Sequence, residues 1–143
     1  MAIRVRSGAQ FMRRRPSLTT DDVLKIVAAC KAAGAKVKRA PTVAVVDAGG
    51  HLLHLERPDV NGVLSVDMAT LKARTVALRG RPSSAFEERV KERPGFMMTP
   101  NCIAVEGGMP ILFEDECLGG VGVSGIDHDD ENVAKAGAAA FTA

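Results

Sequence analysis

Hydrophobic residues recur along this chain at two spacings, one typical of helices and one typical of strands. The helical spacing predicts a first helix from about Thr20 to Arg39, which Thr19 or Thr20 can cap. The same pattern predicts three further helices: one from about Ser65 to Arg79 with Ser65 as its cap, a short one starting at Ser84 with Glu87 at capping-box spacing, and one from about Asp129 to Phe141.

Short runs of β-branched and other apolar residues predict five strands. Val43–Asp47 and His51–Arg57 flank the tight turn Ala48-Gly49-Gly50, so we expect them to form a hairpin. The last third of the chain contains the other three: Ile103–Glu106, Met109–Phe113 and Cys117–Ser124. Short connections favour a mostly antiparallel five-stranded sheet with helices against it, in the α/β (α+β) class.

Length and composition limit the domain organisation and the partners. A chain of 143 residues has room for one domain, which we predict over residues 18–143. Aromatic residues make up only 3% of the chain, which argues against a nucleic-acid module that stacks bases. No apolar run approaches the roughly 20 residues that span a bilayer, so no membrane span is predicted. Residues 1–17 form a basic arm that we expect to be flexible and solvated, with Arg4, Arg6, Arg13, Arg14 and Arg15.

The cysteines and histidines do not form a recognisable metal motif. His51 and His54 are three residues apart on a predicted strand and so lie on opposite faces, and acidic residues such as those after His128 are ordinary at a helix start. We therefore predict no metal-ion site. Three cysteines without a CxxC pair are typical of thiols in a reducing compartment, which favours a cytoplasmic protein: Cys30, Cys102 and Cys117.

Haem iron needs only an axial ligand, and the chain has several side chains of the right type. The sequence contains no CxxCH motif, which excludes covalent c-type attachment. Candidate axial ligands are the cysteines together with His51, His54, His128, Met97 and Met98.

The segment Gly120–Gly125 matches the dinucleotide-binding pattern GxGxxG. That motif needs a βαβ unit and an acidic residue about 20 positions further on, and the given chain ends at Ala143 after one more helix. We therefore interpret the segment as a glycine-rich strand that lets the last helix, or a ligand, approach the backbone closely.

Lys72 has an unusual position on the second predicted helix. Asp67, Thr70 and Arg74 share a polar stripe, whereas Lys72 shares a largely apolar side with Val76. A lysine at such a position either extends over the edge of the core into solvent or points its ammonium into a pocket to meet an anion. The spacing leaves both alternatives open.

Four segments carry a recognisable signature: VVDAGGHLLHLER at 45–57, LKARTVAL at 71–78, GGMPILF at 107–113 and GGVGVSGIDHDDENVAKAG at 119–137. In this order they resemble the GlcG/HbpS family, which includes haem-binding and haem-degrading proteins and the C-terminal domain of PduO-type proteins. The resemblance covers nearly the whole chain, from about Leu18 to Phe141. It implies a profilin-like three-layer α/β/α sandwich and a homo-oligomer, from a dimer up to an octamer.

The resemblance also indicates which residues would form the site. The signature positions are Asp47, Gly49, Gly50 and His51 in the hairpin turn, Lys72, Arg74 and Thr75 in the second helix, Glu106 before Gly107 and Gly108, and Gly122, Ser124 and Gly125 at the last strand's end. The candidate catalytic residues among them are Asp47, Lys72 and Glu106. The candidate ligand-binding residues are Gly49, Gly50, His51, Lys72, Arg74, Thr75, Gly107, Gly108 and Ser124.

Three functions are compatible with these residues. The leading one is binding or degradation of haem or another tetrapyrrole, whose propionates would pair with Lys72, Arg74 or the basic arm. The second is a cofactor-independent enzyme that acts on an organic acid as a tautomerase, deaminase, hydratase or lyase. In it Lys72 or Arg74 would hold a carboxylate while Asp47, Glu106 or His51 moved protons. The third is an oligomeric scaffold or sensor that uses the last helix as an interface.

Overall fold

The computed structural model describes residues 13–141, and Arg4 and Arg6 of the basic arm therefore lie outside the described residues. The part of the arm that it describes, residues 13–17, is exposed and has neither helix nor strand. The elements follow in this order: α1 (Thr20–Lys36), β1 (Thr42–Asp47), β2 (Leu52–Glu56), α2 (Leu64–Arg79), α3 (Ser83–Glu92), a 3-10 helix (Pro94–Met98), β3 (Gly108–Phe113), β4 (Glu116–Ser124), a second 3-10 helix (Asp127–Asp129) and α4 (Asp130–Ala139).

The sheet has the strand order β2-β1-β4-β3, and every neighbouring pair is antiparallel. The predicted α+β class and antiparallel sheet are thus confirmed. The long central strand β4 pairs with the whole length of β1, with Ser124 opposite Thr42 and Gly119 opposite Asp47. These two residue pairs mark the two ends of the sheet.

The prediction of a fifth strand at Ile103–Glu106 is wrong, because within the described residues the sheet has four strands. The backbone amides of this segment bond to side chains instead of to another strand. Ile103 N donates to Thr75 Oγ1 at 2.8 Å, and Glu106 N donates to the Glu87 carboxylate at 3.2 Å. The segment therefore follows the surface of α2 and α3, as an extended chain outside the sheet.

Alternate residues of β1 face different helices, as expected for a strand buried on both sides. Val43 and Val45 belong to a core cluster with residues of α1 and α4. Ala44 and Val46 belong to a second cluster, whose other members lie on α2: Ala69, Ala73 and Ala77. The second cluster is built from small residues, so α2 lies close to the sheet.

The glycines of β4 make this close approach possible. A Cβ on Gly120 would meet the carbonyl oxygen of Ala73, and a Cβ on Gly122 would meet the carbonyl oxygen of Ala69. The interpretation of the GxGxxG segment as a strand that admits a close neighbour is therefore confirmed. The neighbour is α2, whereas the sequence predicted the last helix or a ligand.

One of the predicted helix caps is present and two are wrong. Thr19 caps α1, because its hydroxyl accepts from Asp22 N while the Asp22 carboxylate accepts from Thr19 N at 2.8 Å. Ser65 is the second residue of α2, and its hydroxyl donates to Gly62 O instead. Ser84 does not cap α3 either, since its hydroxyl donates to Glu131 of α4.

Within residues 13–141, no helix has the length and the apolar character needed to cross a bilayer.

The predicted ends of the first and last helices, Arg39 and Phe141, lie beyond the observed ends at Lys36 and Ala139. Lys38 already has a positive φ of 57°, which α1 could not include.

Candidate functional site

Lys72 forms a buried ion pair with Asp130. Its ammonium donates to Asp130 Oδ2 at 2.8 Å and to the carbonyl oxygen of Val123 at 2.9 Å. The Lys72 side chain is only 2% exposed and that of Asp130 is 9% exposed. The other carboxylate oxygen of Asp130 accepts from Ile126 N at 3.1 Å. Lys72 therefore does not extend into solvent, and its anionic partner belongs to the chain itself.

Asp130 was not predicted as part of the site, although its spacing carries the signal. On α4 it lies three, four and seven positions before Val133, Ala134 and Gly137, and all four residues are buried. The argument that places Lys72 on the apolar side of α2 applies equally to Asp130. Two opposite charges on core-facing sides of two helices are expected to pair, because neither can be buried alone at low cost.

Gly107 leaves the space that this ion pair occupies. Its φ of +110° is unfavourable for residues with a side chain, and a Cβ there would lie 2.9 Å from Lys72 Nζ and from Asp130 Cβ. Gly108 is held by a bond from its amide to the Ser83 hydroxyl at 2.8 Å. Both glycines are buried, so the structure assigns them to the packing around Lys72.

A cavity of about 570 Å³ opens beside the ion pair. Four of the signature positions line it, namely Lys72, Glu106, Ser124 and Gly125. Asp130 and His128 line it too, together with the apolar residues Leu64, Met68 and Val105. Its volume lies within the range of small-molecule sites in proteins.

Two of the ion pairs around this cavity remove charges that a ligand would otherwise meet. The Lys72 ammonium is paired with Asp130, and Asp127 is paired with Arg39 at 3.1 Å. Glu106 also lines the cavity, and among residues 13–141 no cation pairs with its carboxylate. The uncompensated charge of the lining is therefore negative.

A buried polar network fixes the loop that borders the cavity. Asn61 Nδ2 donates to Ala40 O at 2.8 Å and to Thr42 Oγ1 at 3.0 Å. The Thr42 hydroxyl also lies 2.9 Å from that of Ser65, which lines the cavity. Because Thr42 is opposite Ser124 in the sheet, this network connects the loop to the end of β4.

The hairpin turn has its own well-defined geometry. Asp47 Oδ1 accepts from Gly49 N and His51 N, both at 2.9 Å, and lies 3.1 Å from His51 Nδ1. Burial raises the pKa of the Asp47 carboxyl, but these hydrogen bonds together outweigh burial and hold the pKa below its usual value. Gly50 has a φ of +81°, which its lack of a side chain permits.

The structure does not bring the hairpin turn and Lys72 together. Asp47 and Gly49 line a different cavity, of about 360 Å³, at the end of the sheet where Asp47 faces Gly119. Arg74 belongs to the hairpin side, because its guanidinium donates to Gly50 O at 2.8 Å. Thr75 is fully buried, and its hydroxyl holds Ile103 N. The expected single pocket is thus divided between two places.

Of the iron ligands proposed from the sequence, His128 is the one that lines the larger cavity. His51 is exposed at the hairpin, and Met97 and Met98 are exposed on the first 3-10 helix. Burial raises the pKa of the Cys30 thiol to about 12 and also raises that of Cys117, so neither is an activated thiolate. Within the described residues no group of three or more His, Cys, Asp or Glu side chains has the arrangement of a metal-ion site.

Comparisons with known proteins agree with this architecture over nearly the whole chain. The family model described as "Haem degrading protein HbpS-like" matches residues 18–139. Protein GlcG of Escherichia coli strain K12 is 36% identical over 114 residues, which are 79% of this chain and 85% of GlcG.

Solved structures show the same fold. A double mutant of HbpS from Streptomyces reticuli superposes with a TM-score of 0.88 at 30% identity, covering 100% of this chain and 99% of HbpS. A PduOC:haem complex superposes with a TM-score of 0.80 at 21% identity, covering 89% of this chain and 96% of that one, and at this identity it supports the fold alone. The family match and the GlcG identity together establish that the chain belongs to the HbpS-like family of haem degrading proteins.

Proposed function

We propose that this chain is a small-molecule-binding protein, built as a profilin-like three-layer sandwich, with haem or a related tetrapyrrole as its ligand. The observation that carries the proposal is the cavity of about 570 Å³ that has both apolar residues and His128 in its lining. The family to which the chain belongs is described by haem degradation, which supports the same ligand class.

The side chains around the cavity fit a porphyrin in type. Leu64, Met68 and Val105 offer the apolar surface that a porphyrin face requires, and His128 and Met68 are residue types that bind haem iron. Because Lys72 already donates to Asp130, we expect the propionates to face solvent instead of Lys72. Bound haem would supply an iron centre with redox chemistry, while the chain would supply a side chain that binds the iron and an apolar surface for the macrocycle.

We expect the purified protein to develop a shifted Soret band when it is titrated with ferric haem. His128→Ala should weaken binding by about tenfold or more, because even the outer partners of a bound metal contribute that much. The measurement is absorbance titration at neutral pH. His51→Ala is the matched control, since it removes an exposed histidine at the other end of the sheet and should leave the titration unchanged.

Two results would count against this proposal in different ways. A wild-type protein that produces no Soret shift at micromolar haem would overturn haem as the ligand. If His128→Ala matches the wild type while Met68→Leu weakens binding, haem remains the ligand and the assignment of His128 is wrong.

The geometry favours binding over the alternative of an enzyme that holds an organic acid through Lys72 or Arg74. A carboxylate ligand at Lys72 would have to displace Asp130, which is 2.8 Å away and itself buried. Arg74 is on the hairpin side and does not line the larger cavity. Neither cation therefore presents a carboxylate site beside Glu106.

We further propose that the protein is a cytoplasmic homo-oligomer. The three free cysteines support a reducing compartment. The edge strand β2 supports the oligomer, because its apolar side chains are exposed by 50% at Leu52, 45% at Leu53 and 36% at Leu55. An edge strand with exposed leucines is suited to burial against another subunit. Sedimentation at micromolar concentration should give a mass that is a multiple of the 15.1 kDa chain, and a monomer would contradict the proposal.

A further inference from the structure

The lining of the larger cavity has one charge that nothing in the described chain neutralises. Glu106 lines the cavity and is partly exposed, and its backbone amide is held by the Glu87 carboxylate at 3.2 Å. The position of Glu106 is therefore fixed through its backbone, while no ion pair holds its carboxylate. The carboxylate is therefore available to a ligand in the cavity.

The neighbouring cation cannot offset this charge. The Lys72 ammonium donates to Asp130 and to the carbonyl oxygen of Val123, so its field is largely cancelled within the protein. Asp127, which also lines the cavity, is paired with Arg39 on the exposed side. The cavity thus favours positive charge on a ligand, contrary to the anion site that Lys72 alone would suggest.

We propose that Glu106 makes the cavity select ligands by the charge of their centre, and that it favours a metalloporphyrin with a cationic centre over a neutral one of the same shape. This inference rests on the proposed function, since it concerns the same cavity and the same ligand class. It names Glu106 as a specificity-determining residue, without requiring that Glu106 touches the metal. Ferric haem, whose centre has one net positive charge, is the preferred oxidation state.

Coulomb's law sets the size of the effect. Even through the high dielectric of water, a single carboxylate about 4 Å from a unit positive charge favours that charge by about fivefold in affinity. The cavity is open to solvent, so added salt should reduce this preference.

Gallium(III) and zinc(II) protoporphyrin provide the test, because they share one macrocycle and differ by one unit of central charge. Both fluoresce, and the chain contains no Trp and no Tyr whose emission would interfere. The quantity to measure is the ratio of the two dissociation constants in each variant. Relative to the wild type, Glu106→Gln should lower the preference for gallium by about fivefold.

Glu114→Gln is the matched control, since Glu114 is an exposed residue in the turn between β3 and β4 and does not line the cavity. It should keep the wild-type ratio. A Glu106→Gln protein with the wild-type ratio would overturn the charge selection. If the ratio is unchanged because both affinities fall equally, Glu106 has a structural role. If neither porphyrin binds the wild type, the ligand class proposed above is what fails.

Discussion

Asp130→Ala is expected to lower the free energy of unfolding by about 3–5 kcal/mol, which is a large part of the stability of a domain of this size. The substitution leaves the Lys72 ammonium buried with Val123 O as its one remaining partner. Since the Lys72 side chain is 2% exposed, water from the neighbouring cavity can replace the carboxylate only in part. The loss in the free energy of unfolding is that of leaving a buried charge unpaired, which is larger than the loss of a single hydrogen bond.

Urea unfolding followed by circular dichroism measures this change. Glu56→Ala is the matched control, because it removes the carboxylate of an ion pair with a similar length, 2.9 Å to Lys31, whose side chains are 55% and 41% exposed. We expect the control to cost no more than about 1 kcal/mol. Similar losses in the two variants would mean that the Lys72–Asp130 pair is not buried as described.

A double variant separates the buried charge from the loss of packing. Lys72→Met combined with Asp130→Ala removes both charges, so it should be more stable than Asp130→Ala alone. If the double variant is instead less stable than either single variant by an additive amount, the two residues do not interact.

The sequence was sufficient for those elements that depend on local spacing. The β-branched run at Val43–Asp47, the hairpin after it and the apolar stripe of α1 were all predicted at nearly their observed positions. The segment Ile103–Glu106 was mistaken for a strand because its composition is that of one. Two of its backbone amides donate to the side chains of Thr75 and Glu87, which lie 28 and 19 residues earlier in the chain than their donors. Sequence spacing has no information about such distant partners.

The candidate site was predicted only in part for a similar reason. Helical spacing placed Lys72 and Arg74 on different sides of α2, which agrees with their contacts to Asp130 and Gly50. Spacing could not tell that these partners lie at opposite ends of the sheet. That follows from the pairing of β1 with β4, whose two ends are roughly 16 Å apart in a six-residue strand.

Gly122→Ala tests the closest contact between α2 and the sheet. A Cβ at this position would meet the carbonyl oxygen of Ala69 and would lie 2.6 Å from Ala73 N, and both atoms belong to the backbone of α2. Backbone atoms in the middle of a helix cannot rotate away as a side chain can, so the whole helix must move from the sheet. We expect a loss of about 3 kcal/mol or more in the free energy of unfolding, at the upper end of overpacking effects.

The matched control is Gly95→Ala, because a Cβ at Gly95 would meet nothing within 4 Å and its backbone is not in the left-handed region. The control should change stability by no more than about 0.5 kcal/mol. Urea unfolding of both variants measures the difference, and a Gly122→Ala protein that is already unfolded without urea meets the expectation as well. A Gly122→Ala protein as stable as the control would mean that α2 is further from β4.

The shift of α2 also has a consequence for binding, because α2 contributes Met68 and Lys72 to the larger cavity. We therefore expect the folded molecules of the Gly122→Ala protein to bind haem more weakly than the Gly95→Ala protein does.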